Sequence, residues 1–416
     1  MRRRFPIAVA LALGLIAVPA TAAATPPSAP PLDTDLLEAK LEAFADVADH
    51  SVIAEVRSGD EDWDEDLGRR SIDGTGGRVD EDDRFRIASL TKSMVAAILL
   101  QLESEGALDL DDPLSDHLPG LLPYEEEPTV RQIMQHTGGL FDYFYYLYES
   151  FVVEGDLTDF EANYRNHYRP EELVEIGTQD PLLFEPGTAW SYSNTGYIAL
   201  GMLIEELTGN RLGHEIEERI VEPADLDDTY FPRPYSHGLR GQHPEAYLTT
   251  GDAEEPYFES TKLSNSQMWA AGGVISTVED VNDFYDAYLD GTLLSEEQLA
   301  DAMAFVDTPL GMGYGLGLLE LNLICPDAPE LAYVGHTGGG LGHQTYSFHS
   351  VDGERQVTVT WNIDDRHGYA DPEAFNHALS ALLVAGLCGV DMDAVSTMSA
   401  QDFPDFTTAA ELTALL

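Results

Sequence analysis

The chain has 416 residues, 44% of them hydrophobic, too many for one small domain and too apolar for a disordered chain. Asp and Glu number 75 against 21 Lys plus Arg, and the formal net charge of −54 repels nucleic acid and anionic membrane surfaces, which are excluded as partners. With only three lysines (Lys40, Lys92, Lys262), such a surface suits strong salt, where screening removes most self-repulsion, so a halophile's exported protein is expected rather than an acidic secreted protein of dilute media.

Taken in chain order, Arg2, Arg3 and Arg4, the apolar residues 5–18 and the small residues Ala20-Thr21-Ala22 or Ala22-Ala23-Ala24 read as a signal peptide over 1–24, and hence as secretion. Arg3-Arg4-Phe5 is a partial twin-arginine match. No stretch is long and apolar enough to span a bilayer. Residues 25–32 read as a Pro-rich tether, 33–390 as the folded domain and 391–416 as a tail without signals. Leu36, Leu37, Leu41, Phe44 and Val47 give helical spacing over 33–49, and 52–56 reads as a strand. The acidic run 60–66 lacks the glycine of a calcium loop and reads as a solvated hairpin tip. Residues 85–88 suggest a short strand. Ser89 then opens a helix to about 105, whose free N–H groups and dipole face whatever Ser89 would attack.

From 112 to 255 the pattern is helices and Pro/Gly-rich loops, with helices clearest over 129–135, 195–207 and 212–221. Helices over 278–289 and 295–305 follow, then strands over 314–321, 332–335, 344–349 and 356–361, and a closing helix over 372–387 ended by Gly389. The fold class is therefore α+β. An antiparallel sheet flanked by helices, built from 33–111 and 256–390, carries an inserted all-helical part, 112–255, with the site between the two.

A serine hydroxyl is a poor nucleophile without a base in reach. In Ser89-Leu90-Thr91-Lys92 the lysine lies one helical turn on, about 5–6 Å away at Cβ, and acts as base only if burial or a neighbouring cation keeps it neutral. Tyr192-Ser193-Asn194 follows Glu185-Pro186-Gly187 and precedes a helix, so a phenol able to shuttle a proton and an amide able to hold an acyl side sit on a loop. His336-Thr337-Gly338 follows the 332–335 strand, and Gly339 and Gly340 leave room beside its edge. His136-Thr137-Gly138 repeats the triplet but reads as a helix ending in a glycine cap. No Gly-x-Ser-x-Gly elbow occurs, against an α/β-hydrolase. No metal or cofactor motif is present. Cys325 and Cys388, in an exported chain, form either a disulfide or two buried thiols.

In this order and context the motifs resemble the serine β-lactamase and penicillin-binding superfamily, within its class C β-lactamase and DD-carboxypeptidase branch, and most nearly the secreted actinomycete D-alanyl-D-alanine carboxypeptidase/transpeptidase. The matching stretches run from about 33 to 389 and include 85–93, 118–123, 129–132, 192–195, 201–205, 314–318 and 335–338. The resemblance implies a β-lactamase/transpeptidase-like fold and a serine hydrolase. Ser89 would be the nucleophile, Lys92 or Tyr192 the base, and Asn194, Thr337 and Trp269 substrate contacts, Trp269 being as readily core packing. His336, standing where many members have Lys, would be a further catalytic residue, the backbone N–H groups of Ser89 and Gly339 would make the oxyanion hole, and Cys325 and Cys388 look like the family's disulfide pair. A monomer acting on a small peptide, amide, ester or β-lactam is implied: a D-alanyl-D-alanine carboxypeptidase, or else an esterase, D-amino-acid amidase or β-lactamase, or a non-catalytic wall-peptide binder. Leu319, Gly339 and Phe144 depart from the family, replacing a carboxylate-gripping Arg and two hydroxyl-bearing residues.

Overall fold

The computed structural model describes residues 31–395 apart from 234, 310 and 366–370. The expected signal peptide, nearly all of the tether and the tail beyond 395 lie outside the described residues.

Helix α1 (Thr34–Ala48) begins where the Asp33 carboxylate accepts the Leu36 N–H, and it buries Leu37, Leu41, Phe44 and Ala48 on one stripe. Strands β1 (Val52–Ser58) and β2 (Glu61–Leu67) follow, then the long buried helix α2 (Thr91–Ser104). Helix α3 (Asn194–Thr208) is the longest of the inserted part, capped by the Ser193 side chain. Helix α4 (Val278–Leu289) covers the residues expected of it and starts where the Thr277 side chain accepts the Asp280 N–H. The remaining strands are β3 (Val306–Asp307), β4 (Gly313–Tyr314), β5 (Leu319–Leu321), β6 (Tyr333–Gly339), β7 (Gln344–Ser350) and β8 (Arg355–Trp361). Helix α5 (Pro372–Cys388) opens on a proline and stops at left-handed Gly389.

The eight strands form one antiparallel sheet in the order β2-β1-β8-β7-β6-β5-β4-β3. Val357, Val359 and Trp361 alternate onto the face covered by α1 and α5, in one apolar cluster. The opposite face meets α4, where Thr358 Oγ1 donates to Asn282 Oδ1 at 2.6 Å. A second apolar cluster joins α2, α3 and α4 with the inserted helices. Cys325 and Cys388 are disulfide-bonded, with Cα atoms 5.2 Å apart, and tie the segment after β5 to the end of α5. No helix among the described residues is long and apolar enough to cross a membrane.

Four expectations change. The acidic run is a strand: β2 pairs with β1 along its whole length, and its carboxylates line the sheet edge, where charge discourages further pairing. The single strand expected over 314–321 is two, β4 and β5, joined by a turn. The triplet His336-Thr337-Gly338 lies inside β6 and not after it. The part expected to be all helical ends in a strand, Tyr247–Thr249, which pairs with Tyr257–Glu259 and Ile363–Asp364.

Candidate active site

The short strand Phe85–Arg86 pairs with Ile275–Ser276 and delivers the chain to a 3₁₀ turn, Ala88–Leu90, at the head of α2. Ala88 takes φ 49°, a left-handed conformation costly for a residue with a Cβ, immediately before Ser89. Ser89 is almost wholly buried and Lys92 entirely so. The Lys92 amine stands 2.9 Å from Ser89 Oγ, 2.8 Å from Asn194 Oδ1 and 2.7 Å from the Ala271 carbonyl. That carbonyl belongs to the short helix Trp269–Gly272, fastened to the first turn of α2 where Thr91 Oγ1 accepts the Val274 N–H at 3.1 Å.

The Ala271 and Asn194 oxygens can only accept, so they take two N–H groups of the Lys92 amine. A neutral amine then has one lone pair left, and it faces the Ser89 hydroxyl. Burial holds Lys92 well below the ordinary lysine range, the Asp142 carboxylate opposing. Asp142 is itself pushed up to about 7 by burial, against the N–H groups of Asn194 (2.5 Å) and Phe144 (2.8 Å) that it accepts.

Tyr192 closes the other side. Its ring lies 4.7 Å from the Lys92 nitrogen, and burial raises its phenol well above the usual range, with the Ser89 hydroxyl lowering it. The buried Tyr192 hydroxyl faces Ser89 and no other partner among the described residues, and the buried Thr337 hydroxyl completes no hydrogen bond among them.

Only the first three residues of β6 pair with β5, so His336–Gly339 runs on beyond its neighbour. This free edge lies against the Ser89 turn. A methyl group on Gly338 would sit 2.3 Å from the Ile87 carbonyl oxygen, so glycine is what permits the approach.

His336 faces inward. Its Nε2 lies 3.1 Å from the Tyr314 hydroxyl, which lies 3.1 Å from His136 Nε2, while His136 Nδ1 accepts the Ser193 N–H at 3.1 Å. The Ser193 bond makes His136 Nε2 the protonated nitrogen, donating to Tyr314, whose hydroxyl donates to His336 Nε2. His336 Nδ1 then donates to the Thr337 carbonyl at 2.6 Å. Both rings are neutral: burial lowers His336 to about 3 and His136 well below its usual value.

Ser89, Lys92, Tyr192, Asn194 and His336 are thus brought together, and Thr337 follows His336 on the strand edge that meets the Ser89 turn. Trp269 is different: its ring packs on Gly201 of α3 and borders a separate cavity. Leu319 is buried in the apolar cluster beneath α1 and α5, and Phe144 packs on Tyr148 with ring centroids 4.9 Å apart, so neither position offers a polar group. Asp142, Tyr314, Ala271 and His136 complete the site; of these only Tyr314 falls in a stretch that resembles the family, 314–318. By its sequence His136 belongs to a glycine-capped helix end, but the helix stops at Met134 and His136 itself takes φ 61°. Among the described residues no group of three or more His, Cys, Asp or Glu is placed to hold a metal.

A serine facing a buried lysine one turn along a helix, between inserted helices and the free edge of an antiparallel strand, is an arrangement that accords with the β-lactamase/transpeptidase fold. The chain belongs to the Beta-lactamase family, whose model matches residues 43–382. It is 29% identical over 373 residues to Esterase EstB of Burkholderia gladioli, covering 78% of this chain and 91% of that protein. It is 28% identical over 302 residues to Penicillin-binding protein 4* of Bacillus subtilis, covering 68% of this chain but only 62% of that relative's length. A D-stereospecific amidohydrolase structure from Streptomyces sp. superposes with TM-score 0.73 at 29% identity, covering 86% of this chain and 99% of that one.

Proposed function

We propose that this protein is a secreted serine acyl-hydrolase that cleaves small amides or esters through an acyl-enzyme on Ser89. The observation that carries it is the buried Lys92 amine 2.9 Å from Ser89 Oγ and held by Asn194 and the Ala271 carbonyl, where burial favours the neutral form whose lone pair would face the Ser89 hydroxyl. Ser89 Oγ attacks the carbonyl carbon and its proton passes to Lys92 Nζ. The backbone N–H groups of Ser89 and Gly339 hold the oxyanion. Tyr192 relays the proton to the departing amine or alcohol, the carbonyl reforms as the Ser89 ester, and water attacks that ester to release a carboxylic acid and restore the hydroxyl. His336, both nitrogens engaged, is a positioning residue for β6.

Buried apolar Leu319 favours an amidase or esterase over a D-alanyl-D-alanine carboxypeptidase, which has to grip a terminal carboxylate. The wide coverage by an esterase and by a D-stereospecific amidohydrolase supports the same preference. Secretion follows from residues 1–24 read as a signal peptide, and an exported product whose first residue is Met1 would overturn that part.

The test is incubation of the protein and its Ser89→Ala variant with a fluorescent penicillin, a chromogenic ester, D-amino-acid amides and a D-alanyl-D-alanine peptide. Turnover of ester and D-amide by the wild type alone is expected. Efficient peptide cleavage would restore the carboxypeptidase reading, rapid penicillin turnover would indicate a β-lactamase, and no Ser89-dependent reaction with any probe would leave a non-catalytic binder.

A further inference from the structure

A second cavity, of about 480 Å³, lies beyond the far end of α3. Asn194 meets Lys92 at the start of that helix, whereas Glu205, which lines the cavity, lies eleven residues on, about 16 Å at 1.5 Å per residue. Arg169, Arg211 and Arg233 reach the cavity from three separate segments, and Phe231 and Trp269 supply apolar wall. Of the arginines, Arg169 is shared with Glu172 at 3.1 Å. Arg211 and Arg233 are in no ion pair among the described residues, in a chain with 75 carboxylate side chains. The cavity's own acid, Glu205, already accepts the Leu212 N–H at 2.9 Å. Tyr235, 76% exposed, stacks on His167 at the mouth, with ring centroids 4.2 Å apart.

Arg211 and Arg233 are exposed at the edge of a cavity with an apolar wall and have no carboxylate partner among the described residues, so they are free to pair with an incoming anion. Planar guanidinium matches carboxylate bidentately, and the aromatic wall asks for a flat apolar body behind it. The geometry points to a binding site, separate from Ser89, for a small organic carboxylate with an aromatic or similarly apolar body. Its occupant touches Trp269, two residues before the carbonyl that holds Lys92.

Binding is read by calorimetric titration with 3-phenylpropionate, its neutral amide and inorganic phosphate, at fixed salt. The carboxylate should bind the wild type and Ser89→Ala equally, and at least about tenfold more weakly to Arg211→Ala/Arg233→Ala, circular dichroism confirming that this variant is folded. The paired Arg211→Lys/Arg233→Lys variant, which keeps charge but not the planar fork, should fall between. Because none of these readings requires turnover, a failed hydrolase reading leaves the test intact. No binding to the wild type, equal binding by the amide, displacement by phosphate, or full affinity in the alanine pair would each overturn the site.

Discussion

Gly338→Ala probes the spacing on which the proposed chemistry rests. The added methyl would lie 2.3 Å from the Ile87 carbonyl oxygen and 3.0 Å from Leu90 Cδ1, in a strand that carries Gly339 and against a turn that carries Ser89. Ordinary contact distance is about 3.5 Å, so strand and turn must separate by about 1 Å. The oxygen is backbone and cannot swing away. A misplacement of about 1 Å between reacting groups costs roughly a hundredfold in rate, and overpacking of this kind costs about 1–3 kcal/mol of stability. The assay is kcat on a chromogenic ester beside a urea unfolding curve. Gly106→Ala is the control: its φ of 76° brings strain, but nothing lies within 4 Å of the added methyl, so it should lose stability and keep kcat. A folded Gly338→Ala protein with wild-type kcat would show that β6 does not set the geometry at Ser89.

Three further outcomes are expected. Tyr192→Phe removes a buried hydroxyl that faces Ser89 and no other partner among the described residues, so the melting temperature should change little while kcat falls about a hundredfold; loss of both together would make Tyr192 structural. Asp142 is raised to about 7 in the folded chain, so its protonated form stabilises fully below the unfolded value near 4, and that contribution, on the order of 4 kcal/mol, is lost as pH rises through 7. Stability curves for Asp142→Asn between those limits should therefore slope less steeply downward than the wild type's. Replacing Cys325 and Cys388 by Ser together opens a loop spanning 63 residues and should cost about 4 kcal/mol in urea unfolding, with ester hydrolysis by the folded fraction unchanged.

What the sequence disclosed and withheld follows physical lines. Helices with local punctuation were legible to within a residue or two: Thr277 caps α4, and Pro372 and Gly389 bracket α5, because caps are decided by neighbours in the chain. The Ser89–Lys92 pairing was legible for the same reason, one helical turn being a local spacing. Strand β2 was not, since its carboxylates hide the alternation a buried strand would show, and its pairing with β1 is a tertiary fact. Asp142 and His136 were invisible as site members: nothing next to either in sequence says that it will be buried beside Lys92 or bonded to Tyr314. The free edge of β6 depended on where β5 stops, which two separate strands decide together.

A neutral lysine in a chain of net charge −54 poses an electrostatic problem, because negative charge stabilises the ammonium form. The structure solves it by distance and by neutralisation. Surface carboxylates are separated from Lys92 by protein and by solvent whose Debye length is about 10 Å at 0.1 M salt, falling to about 3 Å at 1 M. Asp142 is the acid whose field acts on the amine, and burial raises it to about 7, so much of the time it is uncharged. His136 and His336 are neutral as well, leaving burial as the dominant influence on Lys92. Burial is not screened by salt, whereas repulsion among surface carboxylates is. Raising salt from about 0.1 M to about 1 M should therefore raise the melting temperature and leave the acid limb of the kcat/KM profile in place. A limb that moved with salt as far as the melting temperature did would mean that the surface charge reaches Lys92, and that its neutrality is not secured by burial.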